Sequence, residues 1–245
     1  MKIGVIGGGN VGTALARRLV PKGHEVMLSF SCDPVKLEHA AKTLGARTGS
    51  PRKAVEFAEV VAFAVPWAAV DGALHDAGSL AGKIVWDCTN ALKPDLSGLA
   101  LGTSTSGGER VQGLEPGARV VKGIPPFAEL LHSADPTLDG EPVSVFVCGD
   151  DAGAKGVMAN LMASLPATVT DAGPLENARY VEPAMMLLVR HAYGQGLGPL
   201  SRSRFCARVP TSGNPVNERW GPTSARRLPK VGGLYPAPDP MGALG

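Results

Sequence analysis

The sequence has few cysteines and no long apolar segment. Its 245 residues contain four cysteines, none in a Cys-x-x-Cys pair, and this spacing is typical of neither a zinc site nor a disulfide framework. We therefore expect no metal ion and a reducing, cytoplasmic setting. No apolar stretch approaches the roughly 18 residues of a membrane span, since the run from Val60 to Val65 ends at Pro66. The N-terminal residues contain no cleavage signal, so we expect a soluble protein with neither a signal peptide nor a membrane partner.

The charges are distributed unevenly along the chain. The net charge is +2, yet residues 201–245 carry seven Lys or Arg and only two acidic residues, Glu218 and Asp239. These basic residues are scattered among Pro and Gly without apolar periodicity, which is typical of a disordered extension rather than of a nucleic-acid-binding surface. We therefore predict a disordered tail over residues 200–245 and no nucleic-acid partner.

Apolar runs of strand length alternate with segments of helical periodicity over the first 150 residues. The predicted strands are Lys2 to Ile6, His24 to Phe30, Val60 to Val65, Lys83 to Asp87, Ala118 to Lys122 and Ser144 to Cys148. Strands that alternate with helices predict an α/β protein with a Rossmann-type, doubly wound parallel sheet. Beyond Ala152 the pattern turns helical, and Pro183 to Tyr193 predicts a buried helix. We expect a nucleotide-binding domain over residues 1–150 and a small helical C-terminal addition over residues 151–199 that closes the substrate cleft.

The first predicted strand leads directly into a glycine-rich turn, Gly7-Gly8-Gly9-Asn10-Val11-Gly12, where helical periodicity begins. A Gly-x-Gly-x-x-Gly spacing between a strand and a helix predicts dinucleotide binding. The first glycine allows the tight turn, the second allows the pyrophosphate to approach the backbone, and the third lets the helix pack on the strand. Free amides at the helix N-terminus would bind the pyrophosphate. The alternative is a sharp turn that binds nothing.

The end of the second predicted strand favours NADP over NAD. NAD sites place Asp or Glu there to bind the ribose 2′-hydroxyl, whereas this strand ends Leu28-Ser29-Phe30-Ser31-Cys32-Asp33-Pro34. The hydroxyls of Ser29 and Ser31 and the ammonium group of Lys36 are suited to a 2′-phosphate, provided that Asp33 turns away as the cap of the next helix. Alternatively, the serines only end a strand and Lys36 is a surface charge.

Two further segments follow predicted strands at the edge where ligands of an open parallel sheet bind. The third strand is followed by Ala64-Val65-Pro66-Trp67, and the fourth by Cys88-Thr89-Asn90. We expect both segments to line the cofactor site, although a tryptophan beside a strand is equally typical of simple packing. Asn90 either bonds the nicotinamide ribose or caps a turn. Cys88 is expected to be buried rather than nucleophilic, because nothing in the sequence marks it as activated.

Four motifs together resemble the NADPH-dependent coenzyme F420 reductases and their relatives, over residues 1 to about 199. They are the glycine turn, Ala64 to Trp67, Val147 to Asp151 with its Val-Cys-Gly-Asp-Asp sequence, and Asp171 to Glu182, which begins Asp-Ala-Gly-Pro-Leu. The resemblance implies a homodimeric Rossmann protein that binds NADP(H) and passes hydride between the nicotinamide and coenzyme F420 as co-substrate. No acid–base pair is then required, and we assign no catalytic residue because the motif-bearing loops contain no recognisable catalytic arrangement.

The resemblance also implies positions for the parts of the cofactor. It places Gly9, Asn10 and Val11 at the pyrophosphate, Ser31 and Lys36 at the 2′-phosphate, and Ala64 to Trp67 beside the adenosine or ribose. Three segments depart from the family pattern. Cys32 stands where relatives tend to have an arginine, Lys122 to Phe127 replaces a Lys-Ala-Phe-Asn-Thr sequence, and the chain after Pro199 lacks a short apolar helix.

These departures keep two rival hypotheses open. One is an NADP-dependent reductase of an imine, a flavin or a metal chelate, because similar folds support different chemistry. The other is a non-catalytic, NADP-binding sensor. In each case the partner that we expect is a small molecule.

Overall fold

The computed structural model describes residues 1–195 and Gly198. All of these residues lie in one compact unit, Met1–Phe205. A second unit, Cys206–Gly245, lies outside the described residues, and so does the tail predicted over residues 200–245.

An eight-stranded sheet forms the centre of the first unit. Its strands are β1 (Lys2–Ile6), β2 (Glu25–Ser29), β3 (Arg47–Thr48), β4 (Val60–Phe63), β5 (Ile84–Asp87), β6 (Arg119–Gly123), β7 (Val143–Gly149) and β8 (Ala167–Asp171). They lie in the order β3-β2-β1-β4-β5-β6-β7-β8. Every neighbouring pair is parallel except β6 and β7. The strand order reverses between β1 and β4, as in doubly wound folds, and the predicted Rossmann-type fold class is confirmed.

Helices connect these strands. They are α1 (Asn10–Leu19), α2 (Pro34–Leu44), α3 (Pro51–Phe57), α4 (Val70–Ala77), α5 (Gly107–Leu114), α6 (Ala128–His132), α7 (Ala152–Met162) and α8 (Ala178–Val189), and a π-helical turn, Arg190–Gly194, continues α8. Within the described residues, no helix is long and apolar enough to cross a membrane.

The core lies on both faces of the sheet, which explains why the central strands are continuous apolar runs. In β4, Val60 and Ala62 pack into one apolar cluster, whereas Val61 and Phe63 pack into the cluster on the other face, and all four side chains are fully buried. Successive side chains of a strand point to opposite faces. Helices cover both faces, so neither set of side chains contacts water.

Two strands were missed by the sequence patterns. β3 has only two residues, both exposed, and pairs with β2. β8 pairs with β7 along five residues, from Ala167 to Asp171, and is only half-buried. It lies within residues 151–199, which the sequence predicts to be helical, so this segment also extends the sheet. Short edge strands carry little of the apolar periodicity on which strand prediction depends.

The last helix begins earlier than the sequence predicts. α8 starts at Ala178 rather than at Pro183, and the proline lies inside the helix. The sequence indicated a helix from Pro183 because the apolar run Ala-Met-Met-Leu-Leu-Val follows it. Inside α8 the proline removes one backbone donor, the one that would bond the carbonyl of Arg179.

Candidate functional site

The glycine turn joins β1 to α1, and it requires glycine at Gly7 and Gly12. Gly7 has a φ of +122°. The amides of Gly7 and Gly8 donate to the carbonyls of Ser29 and Phe30, each at 3.0 Å, so the turn is anchored on the end of β2. A Cβ on Gly12 would overlap the carbonyl oxygen of Gly7. A Cβ on Gly9, by contrast, would meet no atom within 4 Å.

The start of α1 offers its backbone amides to an anion. Its N-cap is Gly9, which has no side chain to cap the helix, and the first turn contains no acidic residue. The first amides of a helix lack intrahelical acceptors and carry a partial positive charge. Together with the open space above Gly9, this geometry fits a pyrophosphate at the position that the Gly-x-Gly-x-x-Gly spacing predicts. Asn10 and Val11 belong to the same first turn.

The structure separates the residues that the sequence predicts for the 2′-phosphate. Ser29 is fully buried, and its hydroxyl donates to the carbonyl of Val5 at 2.9 Å. Ser31 and Lys36 lie nearer the surface at the start of α2. Asp33 caps α2, because its carboxylate accepts the amide of Lys36 at 2.9 Å. The carboxylate of Asp33 therefore caps the helix, which is the condition expected for a 2′-phosphate to bind nearby.

Phe30, between these serines, has a φ of +57°, and sequence reasoning gave no sign of this. The left-handed conformation is uncommon for a bulky residue. It directs the carbonyl of Phe30 to the amide of Gly8. The side chain is half-buried and packs on the apolar cluster that contains Phe63.

The segments after β4 and β5 lie side by side, because these strands are neighbours and parallel. Ala64 and Trp67 are half-buried, Val65 is buried and Pro66 is exposed. Trp67 lies against the start of α5, since a Cβ on Gly107 would come within 3.0 Å of the indole ring. The tryptophan is therefore packed on protein as well as placed at the predicted edge.

Asn90 has half of its amide engaged. Its Nδ2 donates to the backbone carbonyl of Glu182 in α8 at 3.4 Å. Its Oδ1 is buried and accepts no hydrogen bond from any described residue. A buried amide oxygen without a donor is costly in a folded protein, and this one lies just beyond the carboxyl end of β5.

The two buried cysteines near this edge are not activated. Burial raises the pKa of Cys88 well above its ordinary value, and Asp87 adds to that effect. Burial also raises the pKa of Cys148 to about 12. Both thiols stay protonated near neutral pH, which agrees with the expectation that Cys88 is not a nucleophile.

A cluster of buried charges behind Asn90 was missed by sequence reasoning. The ammonium group of Lys122, on β6, lies 2.9 Å from Asp87 Oδ2 and 2.9 Å from Glu182 Oε1. The three side chains are essentially inaccessible to water, with exposures of 0%, 0% and 3%. A lysine within an apolar strand, and an aspartate that ends one, were the available signals, because such residues are almost never buried without a partner.

The remaining atoms of these carboxylates also have donors. Glu182 accepts the amides of Gly107 and Gly108, at 2.9 and 3.1 Å, at the start of α5. Asp87 Oδ1 accepts the amide and the hydroxyl of Thr89. Burial by itself lowers the pKa of Lys122, but the two carboxylates outweigh it, so its pKa lies above the ordinary value.

The segment after β6, where the sequence departs from the family pattern, is held by the C-terminal part of the unit. Phe127 meets Tyr193 edge to face, with ring centroids 5.8 Å apart. The Tyr193 hydroxyl donates to Glu129 Oε1 at 2.9 Å. At the other end of α6, His132 Nε2 lies 3.2 Å from the carbonyl oxygen of Asn10. α6 thus links the turn that follows α8 to the glycine turn.

Comparison with known proteins identifies the family. The family described as "NADP oxidoreductase coenzyme F420-dependent" matches residues 2–91. A crystal structure from Arthrobacter sp. FB24, described as an F420-dependent NADP reductase, is 31% identical. It covers 80% of this chain and 95% of its own, with a TM-score of 0.71. The chain belongs to the F420-dependent NADP oxidoreductase family. Its expected resemblance to that family is confirmed.

Three other similar proteins differ in how much of their length this chain covers. A protein of Sinorhizobium meliloti is 29% identical, covers 71% of this chain and 85% of its own, and has a TM-score of 0.62. The metalloreductase STEAP3 of Rattus norvegicus is 30% identical over 77% of this chain, which spans only 37% of that protein. A reductive aminase from Aspergillus terreus, in complex with NADPH4, is 20% identical with a TM-score of 0.58, over 80% of this chain and 63% of its own. This last likeness concerns the fold alone.

Proposed function

We propose that the protein is an NADPH-dependent oxidoreductase that reduces coenzyme F420 or a similar acceptor. The observation that carries the proposal is the glycine turn, whose open side at Gly9 faces the uncapped start of α1. When bound, NADPH supplies a hydride from its nicotinamide, and the acceptor takes that hydride and a proton from water. Residues 1–150 would bind the nucleotide, and residues 151–199, which include α8, would complete the acceptor side.

In this proposal, different residues of the chain bind different parts of the cofactor. The amides of Gly9, Asn10 and Val11 bind the pyrophosphate. Ser31 and Lys36 bind the 2′-phosphate, whereas Ser29, fully buried and bonded to Val5, does not reach it. Ala64 to Trp67 line the adenosine or ribose side, and Gly8 lies beside Ser31 and Leu37 in the same site. Asn90, whose Oδ1 has no donor among the described residues, is assigned to the nicotinamide half.

The preference for NADPH is tested by comparing dissociation constants of NADPH and NADH. Lys36→Glu places a carboxylate beside the phosphate, so we expect NADPH affinity to fall at least tenfold, with little change for NADH. Lys42→Glu is the matched control, because Lys42 is exposed in the last turn of the same helix. Equal affinities for the two nucleotides in the unmodified protein, unchanged by Lys36→Glu, would reject the 2′-phosphate assignment.

The acceptor is tested by mixing the protein with NADPH and oxidised F420. We expect the absorbance of the deazaflavin to fall as NADPH is oxidised, with one F420 reduced for each NADPH consumed. No loss at any practical enzyme concentration would refute F420 as the acceptor.

A second candidate class of acceptor is favoured by the similarity to a metalloreductase and by Lys122 to Phe127, which depart from the sequence expected of the family. NADPH consumption with imines, flavins and ferric chelates separates this class from F420. Tight NADPH binding without turnover of any of these acceptors would instead favour the sensor.

We also propose a homodimer that forms through α8. Tyr180, Ala184 and Leu187 lie along one side of this helix and are exposed, Tyr180 to 70% and Leu187 to 61%. Such an apolar stripe is typical of a subunit interface. Leu187→Glu should give monomers by light scattering, whereas Leu114→Glu, on the exposed side of α5, should not. A monomeric unmodified protein would contradict the proposal.

A further inference from the structure

We propose that the buried cluster of Lys122, Asp87 and Glu182 is a positioning device for Asn90, which fixes the nicotinamide half of the cofactor without affecting the adenine half. This inference rests on the proposed binding of NADP(H). It assigns Lys122 and Glu182 as positioning residues, because neither side chain is exposed to a ligand.

The first step is that the cluster holds the residue next to Asn90 at three points. Asp87 Oδ1 accepts both the amide of Thr89, at 2.9 Å, and its hydroxyl, at 2.7 Å. Lys122 Nζ donates to the carbonyl oxygen of Thr89 at 2.6 Å. The backbone that carries Asn90 is therefore fixed by two charged side chains.

The side chain of Asn90 is held as well. Its Nδ2 donates to the carbonyl of Glu182, and Glu182 is itself fixed by Lys122 and by the amides of Gly107 and Gly108. With its backbone and its amide nitrogen held, Asn90 keeps its side chain at the carboxyl end of β5, where Oδ1 is buried and unbonded among the described residues, so a ligand reaches Oδ1 only when the amide turns outward. A hydroxyl or amide of the nicotinamide half would supply the missing donor.

A lysine side chain is suited to hold Asp87, Glu182 and Thr89 together. An ammonium group has three donors, and here the three nearest acceptors are Asp87 Oδ2, Glu182 Oε1 and the Thr89 carbonyl. Replacing Lys122 with methionine removes all three bonds, yet each carboxylate keeps two other donors. The expected result is a displaced Asn90.

The effect should be confined to one half of the cofactor. The groups proposed for the adenine half, Ser31 and Lys36, lie beyond the end of β2. No member of the cluster lies on β1, β2 or α2, because Asp87, Lys122 and Glu182 belong to β5, β6 and α8. The nucleotide 2′,5′-ADP, which lacks the nicotinamide half, therefore serves as an internal reference.

The test measures dissociation constants of NADPH and of 2′,5′-ADP for Lys122→Met, Glu182→Gln and Asn90→Ala. We expect each variant to bind NADPH at least tenfold more weakly and 2′,5′-ADP within twofold of the unmodified protein. The double variant Lys122→Met with Asn90→Ala should bind NADPH no more weakly than Asn90→Ala alone, because both substitutions act through the same contact. Lys155→Met is the control, since it breaks a more exposed ion pair with Asp171 on β8, three strands away from β5 in the sheet.

The possible results distinguish a merely structural cluster from a failure of nucleotide binding itself. Equal weakening of both ligands would show that the cluster is merely structural, and unchanged NADPH affinity in Glu182→Gln would also overturn the proposal. Glu182→Gln keeps the side-chain shape, so it gives the answer if Lys122→Met does not fold. Failure of the unmodified protein to bind either nucleotide would refute the proposed function itself, and failure to reduce any acceptor would refute only the redox step.

Discussion

At the scale of single residues, two glycines with opposite surroundings make a controlled pair. Gly12→Ala forces a Cβ against the carbonyl of Gly7, whereas a Cβ on Gly72, in α4, would meet nothing within 4 Å. We expect Gly12→Ala to abolish NADPH binding and to lower the unfolding temperature. Gly72→Ala should instead stabilise the protein by about 0.5 to 1 kcal/mol, because alanine restricts the unfolded chain and favours the helix. Thermal unfolding and a nucleotide titration of both variants check this.

Lys122 predicts a pH dependence whose direction follows from its raised pKa. A lysine whose pKa is raised by folding stabilises the protein fully below its unfolded value, about 10.4, and loses that contribution as pH rises through the folded value. Lys122→Met should therefore lower the free energy of unfolding by about 3 to 5 kcal/mol, and by the same amount from pH 6 to pH 9. Above about pH 10.4, the difference in unfolding free energy between the variant and the unmodified protein should become smaller. Urea unfolding of both proteins over this range measures it, and a difference that vanished near pH 7 would contradict the charge assignment.

At the scale of elements, the turn after α8 holds α6 through one hydrogen bond and one ring contact. Tyr193→Phe removes the bond to Glu129 but keeps the edge-to-face contact with Phe127. We expect a loss of about 0.5 to 1.5 kcal/mol and faster amide exchange in α6, with little change in β4. Tyr180→Phe, on the exposed side of α8, is the control. Unchanged exchange in α6 would mean that the hydrogen bond does not hold this helix.

Elements with a strong local signal were predictable, and elements that depend on distant partners were not. β1 and β4 were found because buried strands of a parallel sheet are unbroken apolar runs. The glycine turn was found because its spacing and its flanking elements are contiguous. β3 and β8 lack such a pattern, and their pairing with β2 and β7 exists only in the folded chain.

The same distinction applies to the candidate site. Asp33 as a helix cap was predictable from local sequence, and the structure places it so. The bonds that hold Asn90 were not, because Glu182 approaches it from a helix 92 residues away. The buried role of Ser29 was likewise hidden, since its partner, Val5, lies on another strand.

At the scale of the whole molecule, ligand binding should raise the stability of the described unit. A ligand that binds only the folded state at 100 times its dissociation constant adds about 2.7 kcal/mol. For a unit of this size we expect NADPH to raise the unfolding temperature by roughly 5 to 11 °C. NADH at the same concentration should raise it less, and Lys36→Glu should remove most of the difference. Differential scanning fluorimetry measures this, and equal shifts for both nucleotides would contradict the NADP preference.

If the proposed dimer forms, the two faces of α8 have separate tasks, and a change at one face affects the other. One face carries Glu182, buried against Lys122, and the other carries Tyr180 and Leu187 in contact with solvent. A ligand that shifts α8 through its buried face would also shift its exposed face. The coupling between nucleotide binding and subunit association would be reciprocal. If NADPH tightens subunit association by some factor, association must tighten NADPH binding by the same factor. The nucleotide affinity would then depend on the concentration of the protein itself.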